Sequence, residues 1–478
     1  MLKRLSFTVL LTILIMGAGG SQEIWSLEKC IRYAQDKSLD VQQALLGVKQ
    51  AELNERGNRM SRLPDLNAGT SGIFSFGRTI DFTTNTFTSD NRTANSMSLS
   101  SNVVLFNGGR IHNSIKQSSL DASASKADAD DIARNTALNI AAAYLSVLLA
   151  EEQLTNTQKQ LEQTQNQLSQ TARLVDAGTR PESDRVDVLA QIALNEQAIV
   201  AQQNVVQQNY LNLKQLMQID PDYNLVIEKP AVMLPSDDPD VLTLNDVYNQ
   251  ALNAQPSIRA GELRVRSAEI GVDIAKAGYL PSLSLSASLS SSYSNQARTV
   301  TFENPRIEED IASVEINDVP AEITFFNPTT DRILSKTPYT EQIDNNFGQD
   351  IRLNLNIPIF NNDQNKIAVE RAKLNILSTE IDNKRVKQQL KTDVQRALAD
   401  ARAAKKQYNA AQRSVEALSL AYSNAQKRYE LGAINTFEYT TAQNQLDQAQ
   451  VDLIVAKYDY VFRMKIIDFY LGNSMNIN

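Results

Sequence analysis

The sequence predicts a mainly α-helical chain that also carries the strands of a membrane β-barrel. Three observations predict it. An order of helix, strand, strand, long helix, helix occurs twice. Four segments alternate apolar and polar residues over about ten positions, the length a tilted membrane strand needs. Only 17 glycines and 13 prolines occur in 478 residues, so helices can run far without a breaker. The composition also narrows the functional classes. A single cysteine, Cys30, allows no intramolecular disulfide, and with a single histidine, His112, it leaves too few soft ligands for zinc or iron–sulfur. A net charge of −8 speaks against a nucleic-acid partner. No cofactor is expected.

Residues 1–21 read as a signal peptide. Lys3 and Arg4 precede an apolar run over 5–16, and small residues from Gly17 to Ser21 follow. No later run reaches eighteen apolar residues, so no transmembrane helix is expected. An exported chain that re-enters a membrane must then do so as a barrel.

The mature chain reads as a duplication, 22–220 and 243–478, joined by a linker at 221–242. Adding 217 places Leu27 on Leu244, Ala34 on Ala251 and Leu63-Pro64 on Leu280-Pro281. Adding 254 places Phe106-Asn107 on Phe360-Asn361 and Gly178 on Gly432. The offsets differ by 37, so the second half carries an insert, located at 295–346. That insert has four prolines, ten acidic and four basic residues, and reads as a long irregular loop. The alignment sets Cys30 against Val247, both on the apolar side of a helix, which favours a buried hydrophobe over a reactive thiol. His112 falls against Lys366 and reads as a surface or pore-wall side chain.

Each half begins with a helix, over 27–62 with Ser26 as its cap in the first and from Thr243 in the second. Leu63-Pro64 and Leu280-Pro281 end these helices, because proline disfavours helix in the residue before it. Strands follow at 65–77, 95–106, 281–294 and 347–360. Leu283, Leu285, Ala287 and Leu289 alternate with serines, and Ile351, Leu353, Leu355, Ile357 and Ile359 alternate with Arg352, Asn354, Asn356 and Pro358. Ala68 and Phe74 share one parity; Met97, Leu99, Val103 and Leu105 share another. Such strands have one apolar and one polar face. They fit a water-filled barrel in lipid, or a soluble sandwich with its apolar faces inward. Four strands close no barrel alone, so the membrane reading requires oligomers. The long helices, 110–176 and 365–431, are rods of roughly 100 Å. Leu154, Leu161, Leu168 and Val175 recur at the spacing of a coiled-coil seam, and alanines from Ala122 to Ala143 would let helices approach closely. Gly178 and Gly432 stop these rods, and Pro181 suits the start of the next helix. Helices return over 182–219 and 436–471.

This ordered set, found twice, resembles the TolC-like outer membrane efflux proteins over essentially the whole mature chain. The segments after the turns, Val186-Asp187-Val188 and Phe437-Glu438-Tyr439, also look like that family. The resemblance implies a homotrimer in the outer membrane lipid. Each protomer would give four strands to a twelve-stranded barrel, and its helices would join a twelve-helix tunnel across the periplasm. The 295–346 insert would be extracellular. The tips, Gly178, Thr179 and Arg180 with Gly432, Ala433 and Ile434, would meet a periplasmic adaptor tied to an inner-membrane transporter. The family's entrance is narrowed by acidic side chains. Asp184 and Glu438 lie six residues after the glycines, and Asp187 and Thr441 three further on. Thr441 departs from the family's acidic pair, which shifts charge to Asp184 and Asp187. These carboxylates could pair with Arg180, Arg185 or Arg428 when closed, or be ordinary acids at a helix N-terminus.

No other chemistry emerges. Gly108-Gly109 could suggest a phosphate loop, but the repeat mate, Asn362-Asp363, has no glycine, so a strand-to-helix turn is expected. The acidic insert lacks the ligand spacing of a calcium loop. One histidine rules out arguing a catalytic triad. The reading is a passive exit duct and not an enzyme. The alternative is a non-conducting coiled-coil envelope protein, which would have no need of alternating strands.

Overall fold

The computed structural model describes residues 24–81, 86–89, 91–230, 232–316 and 319–473. The predicted signal peptide lies outside them. The chain divides into a helical unit (1–54, 118–268 and 374–478) and a sheet unit (55–117 and 269–373).

The first helix is two helices. α1 (Leu27–Lys37) starts at Ser26, whose Oγ accepts the Lys29 amide at 3.3 Å. It stops at Ser38, and α2 (Leu39–Met60) follows. The single helix expected over 27–62 therefore has a break. The second half breaks at the equivalent place: α5 (Leu244–Ala254), capped by Thr243, ends at Gln255, and α6 (Pro256–Lys276) follows. Pro256 has no amide to continue α5 yet is preset for a first turn. Ser38 and Gln255 each return their amide to an alanine carbonyl, Ala34 and Ala251.

The long helices α3 (Arg110–Asp176) and α8 (Gln364–Glu430) each run 67 unbroken residues. The returning helices α4 (Glu182–Met217) and α9 (Thr436–Leu471) each have 36. Two apolar cores pack them. In one, Cys30 of α1, Ile140, Tyr144 and Val147 of α3 and Leu213 and Met217 of α4 are buried beside Trp25. In the other, Val247 and Ala251 of α5 join Val394, Leu398 and Ala401 of α8 and Met464 and Ile467 of α9. Burial pushes the Cys30 thiol up to about 12, which keeps it protonated and inert. Further along α3 the buried residues turn polar: Thr164, Gln167 and Thr171. The expected leucine seam is not the buried stripe there; Leu161 and Leu168 are only half-buried. Two of these groups find partners on other helices: Asn195 Nδ2 of α4 donates to Thr164 Oγ1 at 2.9 Å, and the Thr171 hydroxyl meets the Tyr429 hydroxyl of α8 at 3.4 Å.

Short strands β1 (Ile24–Trp25) and β6 (Val226–Ile227) pair in parallel within the helical unit. The sheet unit holds one antiparallel four-stranded sheet. Its strands are β2 (Asn67–Ser75), β5 (Arg92–Asn107), β7 (Ser282–Ser294) and β10 (Gly348–Asn356), in the order β10-β7-β5-β2. The register sets Leu353, Leu285 and Val103 in one row and Ala68, Leu99 and Leu289 in another. A bulge between Val104 and Phe106 puts Phe106, not Leu105, opposite Leu283. β10 stops at Asn356, short of the expected 347–360, two residues ahead of Pro358. The turn from β5 to α3 has both glycines in the left-handed region, Gly108 at φ 67° and Gly109 at 82°. Its counterparts Asn362 and Asp363 take the same region at 52° and 59°. This is a strand-to-helix turn, with Asn107 Oδ1 accepting the Ile111 amide at 3.3 Å.

The insert is not an irregular loop. After a small hairpin of β3 (Thr79–Asp81) with β4 (Thr86–Thr88) in the first half, the second half builds a long one from β8 (Arg298–Ile316) and β9 (Val319–Lys336). Its prolines misled the sequence reading. Both strands of a two-stranded sheet are edges, so a proline can turn its missing amide outward. Pro305 sits in a bulge beside Asn304 at φ 51°. Helix α7 (Tyr339–Asn345) then leans on β7, where Ser291 Oγ donates to the Ile343 carbonyl at 2.6 Å.

One side chain ties two helix ends in the helical unit. Arg134 of α3 donates to the Ala254 carbonyl at 2.6 Å and the Phe469 carbonyl at 2.9 Å, C-terminal groups of α5 and α9. Replacing Arg134 by Ala should lower stability by about 2–3 kcal/mol, the scale of hydrogen bonds to a charged group. Arg134→Lys, lacking the fork, should recover only part of it. Circular dichroism melts measure both.

Candidate functional site: the helical tips

The sequence builds each tip from a glycine stop and a capped restart. Gly178, at φ 71°, lets the Thr179 amide reach back to the Leu174 carbonyl at 2.9 Å. Gly432, at φ 74°, does the same for Ala433 and Arg428 at 2.8 Å. α4 restarts behind Pro181. α9 restarts at Asn435, whose Oδ1 accepts the Glu438 amide at 2.8 Å.

The two tips are tied by Arg180. Its Nη2 donates to the Tyr429 carbonyl at 2.7 Å and its Nη1 to the Ile434 carbonyl at 3.4 Å. The guanidinium lies over the Tyr429 ring, 4.2 Å from its centroid. Nη1 also pairs with Asp184 at 3.3 Å, and the two side chains are only 12% and 11% exposed. Tyr429 in turn stacks on Tyr439 at 4.7 Å, and the Tyr422 and Tyr439 hydroxyls share a hydrogen bond at 2.8 Å. The Tyr429 hydroxyl bridges Thr171 at 3.4 Å and Thr436 at 3.3 Å. Burial and the Tyr422 hydrogen bond raise the Tyr439 phenol above its usual range, so it stays neutral.

Of the predicted residues, Asp184 and Ile434 are buried at this junction. Arg180 pairs with Asp184; Arg185 pairs instead with Glu182 and Asp176. Asp187, Glu438 and Thr441 are exposed, and the Thr441 hydroxyl donates to the Phe437 carbonyl at 2.7 Å. Gly178, Thr179, Gly432 and Ala433 are exposed at the turns. Sequence reasoning missed the tyrosines. Aromatic residues make up only 6% of the chain, yet Tyr422, Tyr429 and Tyr439 stand within ten residues of Gly432, and that clustering was the available signal. Among the described residues no group of three or more His, Cys, Asp and Glu could hold a metal ion. His112 Nδ1 lies 3.5 Å from Arg62 Nη2.

The family model for outer membrane efflux proteins matches residues 30–217 and 247–473, which include both tips. The chain belongs to the outer membrane efflux protein family. It is therefore an outer-membrane protein of efflux and not an enzyme. Solved structures share this efflux protein's fold. The outer membrane protein VceC of Vibrio cholerae is 16% identical at a TM-score of 0.71, covering 94% of this chain and 97% of its own. The CmeC outer membrane channel of Campylobacter jejuni is 18% identical at 0.70, with 93% and 85% covered. The open state of the MtrE outer membrane channel of Neisseria gonorrhoeae is 18% identical at 0.67, with 95% and 90% covered. No protein of curated function matches the chain.

Behind the tip of this efflux protein, on α9, burial pushes the Asp447 carboxyl up to about 6. The folded chain thus holds that proton more tightly than an unfolded chain, whose carboxyl titrates near ~3.9. Its stabilising contribution is complete below that value and is lost as pH rises through about 6. Asp447→Asn should therefore raise the melting temperature at neutral pH, and the gain should vanish on acidification. Melts of both proteins across that range decide it.

Proposed function

We propose that this chain is the exit duct of a tripartite efflux or secretion system, a homotrimer whose tips gate the periplasmic entrance. The open four-stranded sheet carries this reading. Its two edges, β2 and β10, have no strand beside them among the described residues. One face is apolar and bare: Ile351 is 78% exposed, Leu353 63% and Phe74 69%. The other face carries serines at every second position from Ser282 to Ser294, with Ser96, Ser98, Ser100 and Asn102 alongside. Unpaired edges in a membrane are untenable. Three copies pairing edge to edge would give twelve strands, apolar side to lipid and hydroxyls to the water-filled bore. This support favours a duct over a coiled-coil envelope rod, for which such a sheet has no use.

The helices would then continue the bore as a periplasmic tunnel of twelve helices, and an adaptor with its inner-membrane transporter would engage the tips. Gly178, Thr179, Gly432 and Ala433 are the exposed turns such an adaptor would meet. Arg180 is the latch between the two tips of a protomer. Asp187 and Glu438 are exposed carboxylates available to line the entrance, whereas Asp184 is occupied with Arg180.

Purified protein in planar bilayers should form cation-preferring channels of low conductance; a trimer that never conducts removes the duct reading. Arg180→Ala loses interactions worth about 2 kcal/mol, which should make opening roughly thirtyfold more frequent. Replacing Asp187 and Glu438 together by Ala should lower the cation preference measured by reversal potentials, without opening the latch.

A further inference from the structure

The polar face of the four-stranded sheet is made almost wholly of small uncharged side chains. β7 gives it a serine at every second position, and Asn102, Ser100 and Ser98 of β5 lie opposite Ser286, Ser288 and Ser290. β10 adds Asn354 and Asn356. Among the described residues paired on that face, charge occurs at three positions. Arg92 shares a row with Ser75, at the end of β5 farthest from α3. The other two, Asp350 and Arg352, stand midway along β10, opposite Ser288 and Ser286.

A strand repeats its face every second residue, so positions 350 and 352 point the same way. Arg352 Nε lies 3.4 Å from Asp350 Oδ2. Among the described residues Nε is the one guanidinium nitrogen with a partner. The carboxylate thus takes the nitrogen nearest the backbone and leaves Nη1 and Nη2 open. The arginine side chain is 68% exposed and the aspartate 44%, so the guanidinium is the more open of the two. A planar fork with both terminal nitrogens open matches a carboxylate or phosphate bidentately. Stability does not account for the pair, because an exposed ion pair contributes little. Hydration does not account for it either, since serine and asparagine already wet this face.

We infer that Arg352, held by Asp350, is the group in the barrel wall that engages an anionic moiety of the departing solute, a carboxylate or a phosphate. The inference rests on the duct reading, in which this face lines the bore and a trimer brings three Arg352 side chains to one level. On a wall of serines the arginine is also the longest side chain, so it narrows the bore where it stands.

The test uses the full-length protein in planar bilayers, with citrate as the probe. Salt is kept at about 0.1 M, where charge acts over about 10 Å, against about 3 Å at 1 M. Citrate should reduce the current through the unaltered channel. Arg352→Gln should weaken that block roughly tenfold and move the reversal potential toward cations. Arg352→Lys keeps the charge without the fork, so the reversal potential should hold while the block weakens severalfold. Asp350→Asn removes the opposing carboxylate and should move the reversal potential toward anions. A conducting Arg352→Gln channel that citrate blocks as before overturns the inference and leaves the duct standing. Cysteine labelling checks the duct reading separately. Cys30 is fully buried, so the native thiol gives little background. In membranes a water-soluble maleimide should label chains carrying Arg352→Cys or Asn354→Cys and spare Leu353→Cys. Labelling at 353 with none at 352 and 354 overturns the duct and the inference together, because this face would then meet lipid.

Discussion

A helix of 67 residues can be held only along a narrow stripe, so the helical unit depends on how closely neighbours approach α3 and α8. Side-chain size along the stripe sets that approach. On α3 it begins with Ala122, Ala124, Ala127 and Ala129, widens to Ile140, Tyr144 and Val147, and ends in Thr164, Gln167 and Thr171. The middle zone is where apolar burial is largest, and it is also where α1, α4 and the linker converge. α8 repeats the scheme with Leu390, Val394, Leu398, Ala401 and Ala404 against α5 and α9.

The polar stretch has its own logic. Apolar packing resists displacement because each shift opens voids, whereas hydroxyl and amide groups can exchange partners at nearly constant energy. Near the tips the interior is made of Thr164 with Asn195, of the Tyr429 hydroxyl with Thr171 and Thr436, and of Tyr422 with Tyr439. The region is cohesive without being greasy, which suits a part of the molecule that spends its life in water.

Much of this was legible in the sequence, for local reasons. Gly178 and Gly432 mark helix ends because few other residues accept a left-handed cap, and Ser26 and Thr243 mark starts because their hydroxyls reach an amide three residues on. Alternation located the four strands and their faces. What failed needed partners. The break at Ser38 carries no breaker of its own, although Pro256 at the matching point of the second half announced it. Leu105 was assigned by parity, and a bulge moved the face by one residue. The leucine heptad was real as a pattern, yet within the chain Thr164 and Gln167 are buried while Leu161 and Leu168 are half-covered. At the tips, Asp184 and Arg180 were both foreseen as residues, but the Tyr429 ring and carbonyl that complete Arg180's surroundings lie far away in sequence.

The β8–β9 hairpin forms a sheet of its own, bonded to no other strand among the described residues. Its seventeen paired rows answer only to each other. An element so self-contained can lengthen, shorten or exchange residues in matched pairs while the four-stranded sheet keeps its register. This hairpin is therefore the part of the sheet unit that can be rewritten at least structural cost, and related chains should differ there first.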